Sequence, residues 1–415
     1  MNQVNRVNLA WALMWIVVAV LAGTVATTMA DGYRNPPEGA AALGRGGVRY
    51  VYGDDGSVLT HNPAGLTDLE AATLTFSSTF AYSPTEYTSA ATGESEDSNV
   101  ALAILPAIYG TMPLNEGRVV IGLGLTSPYG QASEWDQNGV FGGVAADLAE
   151  MTTINLSPSF GVKLCDSLSI GAGMNVMWAN LEFQQTMVPP PGVPAPSSRL
   201  TAEGDGEGIG GTIGLVWQIT EDQRLGVSYR TAMSLTCNGD VTADPSGVFV
   251  SPSDFETELN FPAVAALGYG IQVSDTVRLE ADVEWIEHSC NDVLTLDLGA
   301  NGALELDQDW DDTWTFGLGA DWNCSEDWVL RTGCTWLPTP VPDSTFTPLL
   351  AEGDKYVLGV GAGYQSGAHK IDLAYSYSIT EDRTIDAPDD PTAPDISGTY
   401  EMEPHLASLT YGYQF

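Results

Sequence analysis

Residues 277–285 read VRLEADVEW, and their alternation decides the fold class. Val277, Leu279, Ala281, Val283 and Trp285 fall on one face, and Arg278, Glu280, Asp282 and Glu284 on the other. Successive side chains of a strand point to opposite sides, so a period of two marks a strand with one apolar and one polar face. The pattern returns at 370–379, where Ile371, Leu373, Tyr375, Tyr377 and Ile379 oppose Lys370, Asp372, Ala374, Ser376 and Ser378. Opposite Tyr356, Leu358, Val360, Ala362 and Tyr364 the second face is nearly all glycine. A soluble sandwich exposes its charged face and does not gather aromatics at strand ends. Here Trp178, Trp285, Trp336, Tyr375, Tyr377 and Tyr413 stand at strand ends, as the interfacial girdles of a membrane barrel do.

Such runs number about fourteen. They lie near 71–82, 98–110, 118–127, 150–163, 166–182, 208–219, 224–236, 256–272, 277–288, 309–322, 328–337, 354–365, 370–380 and 399–415. The connections between them alternate short and long. That asymmetry predicts an antiparallel transmembrane β-barrel over 71–415, with tight periplasmic turns, larger extracellular loops and both ends periplasmic. At the C-terminus Leu409, Tyr411, Tyr413 and Phe415 share one face, and a terminal aromatic of this kind resembles the signal read by outer-membrane assembly machinery.

The composition agrees. Only 16% of residues are charged, which suits a wall with one side in lipid. There are 54 acidic against 14 basic residues, a net charge of −40, which excludes nucleic acid as a partner. Residues 1–30 read as a cleaved signal peptide, with an apolar run behind Arg6 and small residues up to Ala30. No later stretch approaches the ~20 apolar residues of a spanning helix. Five cysteines in an exported chain cannot all pair; if a bridge forms, Cys237–Cys290 is the expected one.

Ahead of the strands, residues 31–69 read DGYRNPPEGAAALGRGGVRYVYGDDGSVLTHNPAGLTDL. The stretch has too much glycine for a stable helix and too little alternation for a strand. It still carries Leu43, Val48, Tyr50, Val51, Tyr52, Val58, Leu59 and Leu66, so it has apolar surface to bury. A compact, irregular piece before a wall of strands predicts a hatch, 31–70, plugging the barrel.

Within it, Leu43-Gly44-Arg45-Gly46, then Asp54-Asp55, then Asn62-Pro63-Ala64-Gly65-Leu66 resemble, in order and spacing, the hatch signature of the FadL/TodX-type outer-membrane transporters of long-chain fatty acids and aromatic hydrocarbons. Ser127-Pro128-Tyr129-Gly130, Asn155-Leu156-Ser157-Pro158 and Asp327-Trp328-Val329-Leu330-Arg331-Thr332-Gly333 fall where similar segments do, so the resemblance covers essentially the whole mature chain. It implies a fourteen-stranded barrel with an N-terminal hatch, no catalysis, and passive uptake of a hydrophobic ligand. The ligand passes from extracellular loops to a lumenal pocket and leaves sideways through an inward kink of the third strand. Gly122 and Gly124 are the kink candidates in that strand. Tyr33 is placed at the pocket, and Arg45, Arg49, Arg230, Arg278 and Arg331 are the lumenal cations available to a carboxylate. The Pro-rich stretch 186–198 is short and without helical pattern, so the capture groove is expected to be reduced.

Each of these residues has a plainer reading. Asp54 and Asp55, before Gly56-Ser57, serve first as turn and cap acceptors rather than a cation site. Arg278 among its acidic neighbours stabilises a wet interior or holds the hatch through Arg45 or Arg49. No metal, cofactor or catalytic constellation is expected: His61, His288, His369 and His405 have no paired spacing. The partners expected are a hydrophobic small molecule, outer-membrane lipids and lipopolysaccharide, and the assembly machinery, with the protein a monomer. A diffusion porin for small polar solutes, or a structural barrel, is the alternative.

Overall fold

The computed structural model describes residues 31–99, 102–189, 194–247, 250–388 and 395–415. The expected leader, 1–30, lies outside them, as does the middle of the Pro-rich loop. Fourteen antiparallel strands form a closed barrel. They are β1 Thr73–Tyr82, β2 Ala103–Leu114, β3 Val119–Thr126 (resumed as Gly130–Glu134), β4 Leu148–Cys165 and β5 Leu168–Met187. Then come β6 Ser198–Gln218, β7 Gln223–Arg230 continued as Met233–Asp244, β8 Ser253–Phe261 continued as Val264–Ser274, and β9 Val277–Ile286. The last are β10 Thr313–Asn323, β11 Trp328–Leu337, β12 Lys355–Ser366, β13 His369–Thr380 and β14 His405–Gln414. β14 closes on β1 from Thr73↔Gln414 to Tyr82↔His405.

Both faces of the wall follow the alternation. On β9, Glu280 and Glu284 are 3% and 4% exposed, whereas Leu279 is 39% exposed. Polar side chains therefore face the lumen and apolar ones the lipid, the reverse of a soluble protein. Ile213, Trp217, Phe316, Leu318 and Leu373 are exposed on the outer surface in the same sense.

The strands depart from the sequence reading where apolar alternation fails as a guide. β5 and β6 run to Met187 and back from Ser198, well beyond 182 and 208. In that extension β6 carries Glu203, Asp205 and Glu207 outward and Leu200, Ala202, Gly204 and Gly206 inward, so no outward apolar stripe marks it, yet backbone pairing needs none. Gly398–Met402 leaves the expected final strand and joins Thr85–Ser89, Ser95–Asp97 and Arg383–Ile385 in a small sheet at the long-loop end. Tyr87, Phe141, Phe346 and Tyr400 pack there with Trp135. The cysteines Cys165, Cys237, Cys290, Cys324 and Cys334 are all unpaired, so no Cys237–Cys290 bridge exists.

The third strand is the other departure. Gly122 and Gly124 stay paired on both sides, with Thr111 and Tyr109 of β2 and with Ser159 and Ser157 of β4. The break falls instead at residues 127–129. Pro128 has no N–H for a ladder, and a mid-strand proline marks an edge or a bulge. The two glycines serve packing: a Cβ on Gly124 would lie 2.9 Å from Leu59 and one on Gly122 3.1 Å from it.

Candidate functional site

Residues 31–70 pack against the inward faces of the strands. The segment folds as α1 Ala40–Gly44, α2 Val58–His61 and a 3-10 turn Pro63–Asp68, with Asn62 Oδ1 accepting from Ala64 N–H at 3.2 Å. Its apolar residues are buried, Leu43 and Leu59 at 1% and Leu66 at 0% exposure. Val58, Leu59, Leu66 and Leu69 pack with Ala107 and Tyr109 of β2 and Val120 of β3. The glycine face of β12 now has a reason. A Cβ on Gly359 would lie 2.4 Å from both Leu43 O and Gly46 N, so the α1 backbone rests directly on the strand.

Ion pairs fasten the segment to the wall. Arg45 Nη1 lies 2.7 Å from Asp54 Oδ2 and 3.1 Å from Asp321 Oδ2. Arg278 bonds the same two carboxylates, and Arg331 meets Asp321 at 3.4 Å and Asp372 at 2.6 Å. Lys370 Nζ donates to Asp54 O at 2.8 Å. One β9 turn away, Glu284 receives Arg34 and Arg49, each at 2.6 Å, together with Tyr50 Oη. Glu280 and Asp282 accept the backbone N–H groups of Val51 and Arg49 at 2.8 and 2.7 Å. The alternating carboxylates of β9 are thus a rail for the segment's backbone. Asp55, in contrast, accepts from Ser57 N–H at 2.8 Å as a local cap. Burial and then Arg49 push His61 down to about 3, so it is neutral.

Three of the cations named from sequence, Arg45, Arg278 and Arg331, therefore share one network with carboxylates of the chain itself. Arg230 stands apart. Among the described residues no carboxylate lies within ion-pair distance of it; Nη2 donates to Asn175 Oδ1 at 3.4 Å and the guanidinium sits 6.0 Å from the Tyr129 ring centre. It borders two cavities. One reaches Arg34, Glu38, Arg49, His61 and Pro128; the other, a smaller recess, reaches Tyr129, Asn155, Asn175, Met177 and Met233. Above the second, Tyr129, Met151, Met177, Met233, Leu259 and Phe261 form an apolar cluster, with Tyr33 against it. Tyr33 packs against Trp310 at a tilt of 47°, ring centres 4.8 Å apart, and accepts from Gln308 Nε2 at 2.7 Å.

Sequence reasoning quoted Tyr129 and Asn155 without assigning them a role, and passed over Met177, Met233 and Phe261. Their signal was weak: an apolar residue on the polar face of a barrel strand. Gly122 and Gly124 lie away from both cavities, and Phe415 is exposed at the short-turn end beside Tyr413.

A closed barrel with apolar strand faces outward and charged ones inward defines an outer-membrane β-barrel protein. The chain belongs to the outer membrane protein transport protein family (OMPP1/FadL/TodX), whose description matches residues 23–415. A putative outer membrane protein of Neisseria meningitidis serogroup B is 24% identical over 94% of this chain and 96% of its own length. The long-chain fatty acid transport protein of Escherichia coli K12 is 22% identical, covering 91% of each. Among solved structures, a Pseudomonas aeruginosa FadL homologue superposes with TM-score 0.81 at 22% identity, covering 92% of this chain and 99% of its own. The toluene transporter TodX of P. putida does so with TM-score 0.72 at 15% identity, covering 92% and 99%.

Proposed function

We propose that this protein carries hydrophobic compounds passively through the outer membrane, with residues 31–70 as the hatch and a gap between β2 and β3 as the lateral exit. The carrying observation is that pairing of β2 with β3 ends at Ile108↔Leu125, while Gly130–Glu134 pairs only with β4. Ala103–Ala107 keeps β1 on one side and has no β3 partner on the other. Asn35 fills the break, and a small recess lined by Pro36, Glu38, Thr79, Leu105 and Pro106 lies beside it. An apolar molecule retains about 0.8 kcal/mol per CH₂ by passing from pocket to lipid without crossing water.

The lumenal cations are mostly matched by carboxylates of the chain, which leaves Arg230 as the one suited to an acidic headgroup. Neutral hydrocarbons accordingly bind at least as well as fatty acids, since an unmatched carboxylate costs several kcal/mol to desolvate. Tyr33 forms part of the pocket wall. The single chain closes its own wall, so it works as a monomer, with Phe415 presented to the assembly machinery and the outer strand surface to lipid and lipopolysaccharide. The test is reconstitution in liposomes with oleate and toluene as separate probes, alongside single-channel conductance. Facilitated uptake without large steady conductance is expected; a large ligand-free conductance would make the protein a diffusion porin.

A further inference from the structure

The wall has a second interruption, between β6 and β7. Their ladder runs from Arg224↔Gln218 to Arg230↔Thr212 and resumes only at Asn238↔Asp205. In between, residues 231–237 of β7 face residues 206–211 of β6 with one point of attachment, Thr231 N–H to Gly211 O at 2.9 Å and Gly211 N–H to Thr231 Oγ1 at 3.0 Å. The other edges hold. β6 stays paired to β5 throughout, and β7 stays paired to β8 from Met233↔Phe261 to Cys237↔Thr257. The two lips overlap. A Cβ on the inward side of Gly206 would meet Thr236 O at 2.4 Å, and one on Gly208 would lie 3.2 Å from Leu235 Cβ. β7 therefore crosses the lumenal side of β6 instead of lying edge to edge with it.

The neighbouring backbone is jointed at the same level. β7 is broken at Thr231–Ala232, and β8 at Pro262–Ala263 directly across from it. Behind the overlap lies the smaller recess, lined by Gly210, Thr231 and Met233 of the seam together with Asn155, Met177 and Arg230. Asn155 is 1% exposed, and among the described residues its Oδ1 has no hydrogen-bond partner. In front of the overlap, Ile209 is 71% exposed. On the outer side of the seam Glu207, Ser234 and Thr236 are exposed beside Ile209, so the seam starts at the outer edge of the apolar band and rises above it. Backbone that leaves its ladder is tolerated where it lines a cavity, and an orphaned acceptor waits behind it.

We propose that the β6–β7 seam is a second lateral opening, through which hydrophobic ligands pass between the outer edge of the membrane and the Met177–Met233 pocket. The ligand class is an apolar body with a hydroxyl or carboxyl head: the head donates to Asn155 Oδ1, or as a carboxylate meets Arg230. This rests on the transport reading above. It provides a path to the pocket that does not run through the long loops, and the β2–β3 gap remains the exit.

The geometry supplies its own test. In a variant whose five native cysteines are replaced by serine, Gly208→Cys with Leu235→Cys places two thiols across the overlap at disulfide distance. In liposomes with oleate as probe, oxidation is expected to lower the initial uptake rate by at least about half, and reduction to restore it. Equal rates in the oxidised and reduced forms, with the disulfide confirmed by gel mobility, overturn the second opening and leave the transport reading intact. Wild-type uptake no faster than that of empty liposomes removes both. Should the double variant not assemble, hydrogen exchange of the wild-type barrel decides. The amides of 206–211 directed at β7 are expected to exchange about tenfold faster than those of 212–218, and equal protection overturns the proposal.

Discussion

Asn35 stands in for the strand partner that Pro128 lacks: its backbone N–H donates to Pro128 O at 3.0 Å, and its side-chain amide donates to Ser127 O at 2.9 Å. On the same edge, Gly130 N–H donates to Tyr33 O at 2.9 Å. The N-terminal residues thus complete the wall where β3 leaves its ladder. Deleting 31–37 is expected to leave an assembled barrel, because the β1–β14 closure is untouched. Leak of small solutes should rise and uptake of hydrophobic probes should slow, both measured in liposomes. Wild-type uptake by the deletion would remove these residues from the route.

Asp321 is the hub of the lumenal network, shared by Arg45, Arg278 and Arg331. Asp321→Asn leaves buried guanidinium charge under-compensated, and a loss of about 3–5 kcal/mol is expected. Urea unfolding of the detergent-solubilised protein measures it; a change below about 1 kcal/mol would mean that water or neighbouring carboxylates already balance the three cations.

Gly359→Ala should prevent α1 from seating, since the added Cβ lies 2.4 Å from two backbone atoms. The expected signs are faster proteolysis within 31–70 and larger conductance in planar bilayers. Gly110→Ala, where a Cβ meets nothing within 4 Å, is the matched control and should behave as wild type.

Arg230→Gln should weaken oleate binding by about tenfold while leaving toluene binding unchanged, because only a carboxylate needs the charge. Calorimetry or fluorescence displacement reads both. Equal loss of the two ligands would point to a collapsed pocket.

Acid should not release the segment easily. Burial alone would raise Asp54, but Arg278 and Arg45 outweigh it and hold the carboxyl well below 3.8. A depressed carboxyl stabilises the folded state at all pH above its unfolded value, and that stability is lost only as pH falls towards the folded one. Protease resistance of 31–70 should therefore be the same at about pH 7 and about pH 5, declining only below about pH 4. Release by about pH 5 would mean that other groups control it.

The lipid-facing surface and the strand order were readable from local pattern. Where one face of a strand meets hydrocarbon and the other meets water, every second residue must be apolar, and β9, β12 and β13 carry that requirement openly. The glycine face of β12 was visible too, without the α1 backbone that explains it. Local pattern failed at the upper halves of β5 and β6, where the outer face is polar and Phe183, Leu200 and Ala202 point inward, and at β3, where two glycines drew attention from Pro128.

The sequence by itself determined the class of the protein, the approximate number of strands and the presence of a compact segment before them, because alternation and composition report directly on solvent. Only the tertiary structure decided which charges are spent. Arg45, Arg278 and Arg331 are matched by Asp54, Asp321 and Asp372, and Arg230 is not. It alone placed the two interruptions of the wall beside one cavity. Pairing between residues hundreds of positions apart depends on strand register and barrel closure, which no local stretch of sequence contains.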